Sequence, residues 1–211
     1  MKLQIALDRV SLVQAKSMAI TCKEEADILE IGTSLIKDYG MEAIRSLHRE
    51  LPFLPLLADM KTMDQGAYEF RAAYTAGASY ATVMGAAPLA TLHACYTVAR
   101  EEGEEIMIDL LETSDHKIEE LAFMTEAIFC VHLPKDGDQS QILEKLQHFR
   151  ENHPALNRIA VAGGIQYEQL PLLKKQKVEV CIVGSAITAA SDLQKAARLF
   201  AKAMQQDKEV Q

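Results

Sequence analysis

The sequence predicts a single α/β domain closed as a (β/α)8 TIM barrel. Three observations predict it. Short apolar runs alternate with helical stretches along the whole chain, eight of each, at intervals of roughly 25 residues. Several runs deliver an acid, a lysine, a histidine or a glycine pair at their carboxyl ends, where barrels of this kind carry their sites. No Pro/Ser-rich linker or break in composition divides residues 1–211, and 211 residues lie near the short end for such a barrel. An open doubly wound sheet is the alternative. Its usual GxGxxG fingerprint after the first strand is missing, and Asp8 and Arg9 stand there instead.

The elements follow in order. Leu3 to Leu7 is the first strand, ending in Asp8, and Ser11 to Thr21 reads as a helix with apolar positions at Leu12, Ala15, Met18 and Ala19. Ile28 to Thr33 is the second strand, with Glu30 inside it, and Tyr39-Gly40 leads into a helix through Ile44 and Leu47. Leu54 to Asp59 is the third strand, followed by a helix around Tyr68 to Tyr74 that Gly77 is placed to end. Tyr80 to Gly85 is the fourth strand, and the helix from Pro88 to Arg100 stops near Gly103. Glu105 to Leu111 is the fifth strand, and Ile118 to Thr125 is helical. Ala127 to His132 is the sixth strand; a polar loop covers 134–140, and Ile142 to Glu151 is helical. Arg158 to Gly164 is the seventh strand and Tyr167 to Lys175 a short helix. Val180 to Ser185 is the eighth strand; a helix from Asp192 to Gln205 precedes a charged, frayed tail at about 206–211.

The bulk composition narrows the function. With 49% hydrophobic and 25% charged residues the chain is an ordinary globular protein. A net charge of −8 argues against a nucleic acid or an anionic membrane as partner, because phosphate backbones recruit basic surfaces. It leaves room for a small anion held at a local positive site. No apolar run approaches the ~18 residues of a membrane span. Met1-Lys2-Leu3-Gln4 runs straight into a strand with no signal-peptide pattern. The four cysteines, Cys22, Cys95, Cys130 and Cys181, form no CxxC pair. A reducing, cytoplasmic location is the expectation.

The chain is organised around Leu56 to Asp64, an apolar run ending in Asp59, Lys61 and Asp64. Charged side chains are rarely buried unless paired, so three charges there suggest a site; a solvated turn is the plainer alternative. Glu30 inside an apolar strand calls for a partner or a metal ion. Asp8 either joins the site or caps the first helix. Asp109 is either a functional acid or a structural partner of Lys61. His132 either transfers protons or only hydrogen-bonds. Gly163-Gly164 and Gly184-Ser185 follow the last two strands, where barrels often bind phosphate through backbone N–H groups; simple turns are the alternative. His48, His93, His116, His148 and His153 receive no role, and Met60 and Met63 are read as packing.

Asp59-Met60-Lys61-Thr62-Met63-Asp64 has the D-x-K-x-x-D pattern and resembles the orotidine-5′-phosphate decarboxylase superfamily, most nearly the branch with 3-hexulose-6-phosphate synthase and 3-keto-L-gulonate-6-phosphate decarboxylase. The opening Leu3-Gln4-Ile5-Ala6-Leu7-Asp8, Glu30-Ile31-Gly32-Thr33, Val161-Ala162-Gly163-Gly164-Ile165 and Val183 to Thr188 extend the resemblance over nearly the whole chain. It implies a homodimeric barrel with shared active sites, acting on a sugar phosphate through a cis-enediolate with Mg2+. Glu30 and Asp59 match the metal-site carboxylates, and Lys61 the lysine facing the intermediate. Asp64 matches a residue reaching into the partner's site, Asp8 a substrate-hydroxyl contact, and His132 the acid/base histidine. The resemblance leans to the synthase, an aldehyde-lyase, because Ser185 follows Gly184 where the decarboxylases carry arginine. Lys135 likewise stands where they have an arginine. Leu133-Pro134-Lys135-Asp136 departs from the synthases' Thr-Gly-x-Asp, and proline reshapes that loop. A decarboxylase-like carboxy-lyase or a diverged sugar-phosphate-binding barrel is the alternative.

Overall fold

The computed structural model of the chain describes residues 1–138 and 141–205. The predicted loop residues Gln139 and Ser140 and the tail 206–211 lie outside the described residues. Eight parallel strands close in sequence order into one barrel. They are β1 (Lys2–Leu7), β2 (Ile28–Ile31), β3 (Leu56–Thr62), β4 (Tyr80–Met84), β5 (Glu105–Asp109), β6 (Ile128–His132), β7 (Ile159–Ala162) and β8 (Val180–Val183). Closure is made where β1 pairs with β8, Leu3 opposite Cys181 and Ile5 opposite Val183. The helices outside are α1 (Leu12–Cys22), α2 (Thr33–Tyr39), α3 (Met41–Glu50), α4 (Gly66–Thr75), α5 (Leu89–Glu102), α6 (Asp115–Glu120), α7 (Ile142–Asn152), α8 (Leu170–Lys175), α9 (Ser185–Thr188) and α10 (Leu193–Gln205). None is long and apolar enough to cross a membrane among the described residues.

The strand runs are nearly continuous in apolar residues because both faces are covered, one by helices and one by the barrel interior. Ile28, Leu57, Tyr80, Met107, Ile128, Cys130, Ala160 and Val180 plug that interior. The larger core lies between strands and helices and includes the fully buried Leu3, Leu29, Leu47, Phe70 and Val161. At the amino-terminal end of the barrel, Arg158 donates to Glu105 at 2.7 Å and to Glu179 at 2.9 Å, tying the entrances of β5, β7 and β8 together. Its partners outweigh partial burial and keep the guanidinium charged.

Several expected boundaries shift for identifiable reasons. β3 starts at Leu56 rather than Leu54 and runs on through Thr62, so Asp59 sits inside the strand rather than at its end, and Lys61 lies within it rather than past it. Its register with β4 jumps between Ala58 and Thr62. The second helical segment is two helices, split at Gly40, whose φ of +60° only glycine adopts freely. α6 begins at Asp115 because Ser114 caps it, accepting from the Lys117 N–H, and it ends at Glu120 rather than Thr125. β5 stops at Asp109 and β8 at Val183; Gly184 and Ser185 open the short α9 instead of ending a strand.

Phe70 is fully buried on α4 and meets Tyr74 edge to face at 5.7 Å. Phe70→Ala should lower the unfolding free energy by about 3–5 kcal/mol in denaturant titrations. A change below about 1 kcal/mol would mean the helix layer is not packed as described.

Candidate active site

Alternation along each strand aims every second side chain into the barrel. At the carboxyl end that geometry collects Asp8 after β1, Glu30 from β2, Asp59 and Lys61 from β3, Thr82 from β4, Asp109 from β5 and His132 from β6. Gly163 and Gly164 after β7, and Gly184 and Ser185 after β8, complete the wall of an open cavity of about 640 Å³. Leu57, Met107, Cys130 and Ile182 make its apolar floor. Of the residues expected here, only Asp64 is not brought in. It is exposed in the loop after β3, where its carboxylate accepts from the Gln65 N–H at 2.7 Å.

Lys61 holds the centre. Its Nζ lies 3.0 Å from Asp59 Oδ2 and 3.0 Å from Asp109 Oδ2. Burial works against the ammonium, but the two carboxylates outweigh it and hold the Lys61 pKa above the usual lysine value. Lys61 is therefore held as a cation between the two carboxylates. Asp109 also accepts from the Leu111 N–H at 3.0 Å and lies 2.9 Å from His132 Nδ1. Burial would raise the Asp109 carboxyl, but the His132 bond, the charge of Lys61 and the Leu111 N–H hold it well below the usual carboxylate range. With Asp109 ionised, the hydrogen bond assigns the proton of neutral His132 to Nδ1, leaving Nε2 as the ring's acceptor. The two alternatives for Asp109 merge: it partners Lys61 and it orients His132.

Asp59 is held on both oxygens. Thr33 Oγ1 donates at 2.6 Å and Thr82 Oγ1 at 2.9 Å. Glu30 is almost wholly buried, and burial, reinforced by the nearby Asp59 charge, pushes its carboxyl up to about 8. The 2.6 Å bond from Gln4 Nε2 offsets only part of that. Gln4 is itself fully buried, and its Oε1 has no partner among the described residues. The buried carboxylates Glu30, Asp59 and Asp109 thus gather around Lys61, and among the described residues Glu30 makes no ion pair of its own, feeling Lys61 only at a distance. Among the described residues no three His, Cys, Asp or Glu side chains converge as a metal cage. Glu30 and Asp59 offer two hard oxygen donors, which suits Mg2+, an ion that commonly binds one or two carboxylates and keeps water or substrate on its other positions.

Asp8 does not cap the first helix. Ser11 does, accepting from the Gln14 N–H. Asp8 instead accepts from the backbone N–H and the hydroxyl of Ser34 at the start of α2, and lines the cavity. Gly163 and Gly164 both have positive φ, +104° and +63°. A Cβ on Gly163 would lie 2.5 Å from the Leu133 carbonyl oxygen, so the turn excludes any side chain there. The Leu133 N–H bonds the Ala162 carbonyl at 3.2 Å, and Leu133, Pro134 and Lys135 reach the cavity wall.

Gln4, Thr33 and Thr82 were not among the sequence candidates. A signal for Gln4 was present: it stands four residues before Asp8, on the same inward phase of β1. Thr82 alternates with Tyr80 in β4 in the same way, but a threonine in a strand carries no charge to draw notice.

Known proteins are similar to this chain in sequence and fold. The family described as orotidine 5′-phosphate decarboxylase / HUMPS matches residues 1–200. A 3-hexulose-6-phosphate synthase of Bacillus subtilis is 33% identical, over 91% of this chain and 93% of that protein. The crystal structure of 3-hexulose-6-phosphate synthase from Salmonella typhimurium superposes with a TM-score of 0.90 at 30% identity, covering 97% of this chain and 98% of the other. That of 3-keto-L-gulonate-6-phosphate decarboxylase from Vibrio cholerae gives 0.85 at 30% identity, with 96% of each chain covered. With a match that spans nearly the whole barrel and the predicted carboxylates and lysine around one cavity, the chain belongs to the orotidine 5′-phosphate decarboxylase / HUMPS family and, like the members it matches, is an enzyme of the lyase class.

Proposed function

We propose that the chain is a 3-hexulose-6-phosphate synthase-type aldehyde-lyase, joining formaldehyde to ribulose 5-phosphate through a cis-enediolate with Mg2+. The observation that carries the reading is the unbroken chain from His132 through Asp109 and Lys61 to Asp59 along one cavity wall. An enediolate needs a proton acceptor beside a fixed cation, and this chain of contacts supports His132 and Lys61 in those two roles.

His132 Nε2 takes the proton from C1 of the ketose phosphate, while Asp109 holds the ring and stabilises the imidazolium. The electron pair left behind spreads onto the C2 oxygen, facing the Lys61 ammonium, which is already in place and need not reorganise. C1 then forms the new bond to the formaldehyde carbon, the C2 carbonyl returns, and the former aldehyde oxygen takes the proton from His132. Glu30 and Asp59 would hold Mg2+, which would supply further positive charge to offset that of the enediolate. Asp8 accepts from a substrate hydroxyl. The backbone N–H groups of Gly163-Gly164 and Gly184-Ser185 bind the phosphate. Asp64, exposed and not part of its own cavity wall, reaches the site of a second copy in a homodimer. A cytoplasmic location fits the four buried free cysteines.

One second reading is supported by the 3-keto-L-gulonate-6-phosphate decarboxylase from Vibrio cholerae, which at 30% identity is as similar in sequence as the Salmonella typhimurium synthase. A carboxy-lyase on 3-keto-L-gulonate 6-phosphate would use the same Lys61 and His132 with CO2 leaving instead of a proton. A barrel that binds sugar phosphates without turnover is the third outcome.

Purified protein should condense ribulose 5-phosphate with formaldehyde and lose at least about 90% of that activity in EDTA, recovering it with Mg2+. Turnover of the keto-gulonate phosphate alone would move the assignment to the second reading, and turnover of neither would remove it.

Glu30 gives a pH prediction. Its folded-state value of about 8 lies above its ordinary 4.5, so the folded protein binds that proton more tightly than the unfolded chain. Metal-free stability should therefore fall as pH rises from about 4.5 to about 8. Glu30→Gln should remove most of that slope and melt several degrees higher at pH 8 while losing turnover. Melting curves without metal at pH 5 and pH 8 check this; equal slopes in both proteins would contradict it.

Asp64→Ala and His132→Ala should each be inactive as homodimers, whereas mixed dimers should regain up to about half of wild-type turnover per dimer by assembling one complete site of the two. Verified heterodimers that stay inactive would place Asp64 in its own chain's chemistry.

A further inference from the structure

We propose that Thr82 is the positioning residue that pins a bulge in β3 and so sets where Asp59 and Lys61 point. The parallel register pairs Leu57 with Tyr80 and Ala58 with Ala81, then resumes at Thr62 with Val83. Four steps along β3 are thus matched to two along β4. A bulge of this kind re-aims side chains at the rim of a sheet. Within it Lys61 takes φ +47°, a left-handed conformation that residues with a β-carbon adopt at a cost and that persists only where neighbours enforce it.

Thr82 supplies the enforcement. The register jump removes the Lys61 N–H from the regular ladder, and Thr82 Oγ1 accepts it at 2.9 Å. The same hydroxyl donates to Asp59 Oδ1 at 2.9 Å. A hydroxyl has one proton, so accepting from the amide and donating to the carboxylate is the arrangement that satisfies all three groups. Thr82 is 3% exposed, which leaves little access for a water to replace it. Its β-branched side chain has few rotamers, so the oxygen is held in place by the strand itself. One side chain therefore fixes the backbone of the central cation and the orientation of the carboxylate it pairs with. Thr33 holds the other Asp59 oxygen, whereas Thr82 bonds both the Asp59 carboxylate and the Lys61 backbone.

The inference rests on the proposed reaction only for its kinetic readout. Thr82→Val keeps the shape and removes the hydroxyl; Thr82→Ser keeps the hydroxyl. In the full chain, Thr82→Val should speed hydrogen exchange at the Lys61 amide at least about tenfold and lower kcat about a hundredfold, the size of effect a small misplacement produces. KM for the phosphate substrate should stay within about threefold, and Thr82→Ser should keep both amide protection and kcat within a few-fold of wild type. Should Thr82→Val not fold, Thr82→Ala serves as the hydroxyl-free variant. Unchanged Lys61 protection in the hydroxyl-free variant overturns the proposal, as does equal loss in the serine variant. A wild-type protein without turnover on any ketose phosphate sinks the reaction instead, while the exchange comparison still decides the role of Thr82.

Discussion

Lys61 keeps its charge in a half-enclosed place because Asp59 from its own strand and Asp109 from two strands away both reach it at 3.0 Å. An isolated ammonium there would be expensive, and so would either carboxylate alone. Each makes the others tolerable, and the arrangement exists only when β3 and β5 stand at their barrel positions. The proton-transfer machinery hangs from the same group. Asp109 stays ionised partly because of Lys61, and an ionised Asp109 assigns the His132 tautomer.

Charge is not balanced around this centre. Glu30 and Asp59 lie close enough for the charge of one to oppose ionisation of the other, and Gln4 supplies Glu30 with one donor. A hydrophobic barrel floor would be more stable without a buried carboxylate and a half-satisfied amide, by the usual cost of an unpaired polar group. These departures gather at one spot. The strained φ of Lys61, the jump in register, the orphaned Gln4 oxygen and the raised carboxyl of Glu30 all belong to the rim and upper interior of the barrel. Local rules are commonly broken where function demands it.

The rest of the chain holds that spot still. An apolar plug closes the barrel interior beneath it, and the helix layer buries Phe70 and its neighbours behind the strands. The Arg158 network secures the opposite end, away from the cavity. Division of the barrel into a stabilising end and a chemical end is general for this architecture, because loops after the strands can vary without disturbing the closed sheet.

Much of this was written into the sequence. Apolar runs repeated with helical stretches give the barrel, since strands buried on both faces must be apolar along their length. The acids, Lys61, His132 and the glycine pairs were legible because charge or glycine at a strand end is unusual enough to be seen. What one chain of residue types could not display was the pairing across strands. Thr33, Thr82 and Gln4 are ordinary polar residues until the closed sheet sets them against Asp59 and Glu30, and the two roles of Asp109 could be joined only when Lys61 and His132 were both found beside it. The bulge in β3 escaped for the same reason: a register exists only between two strands, and hydrophobic periodicity describes one strand at a time.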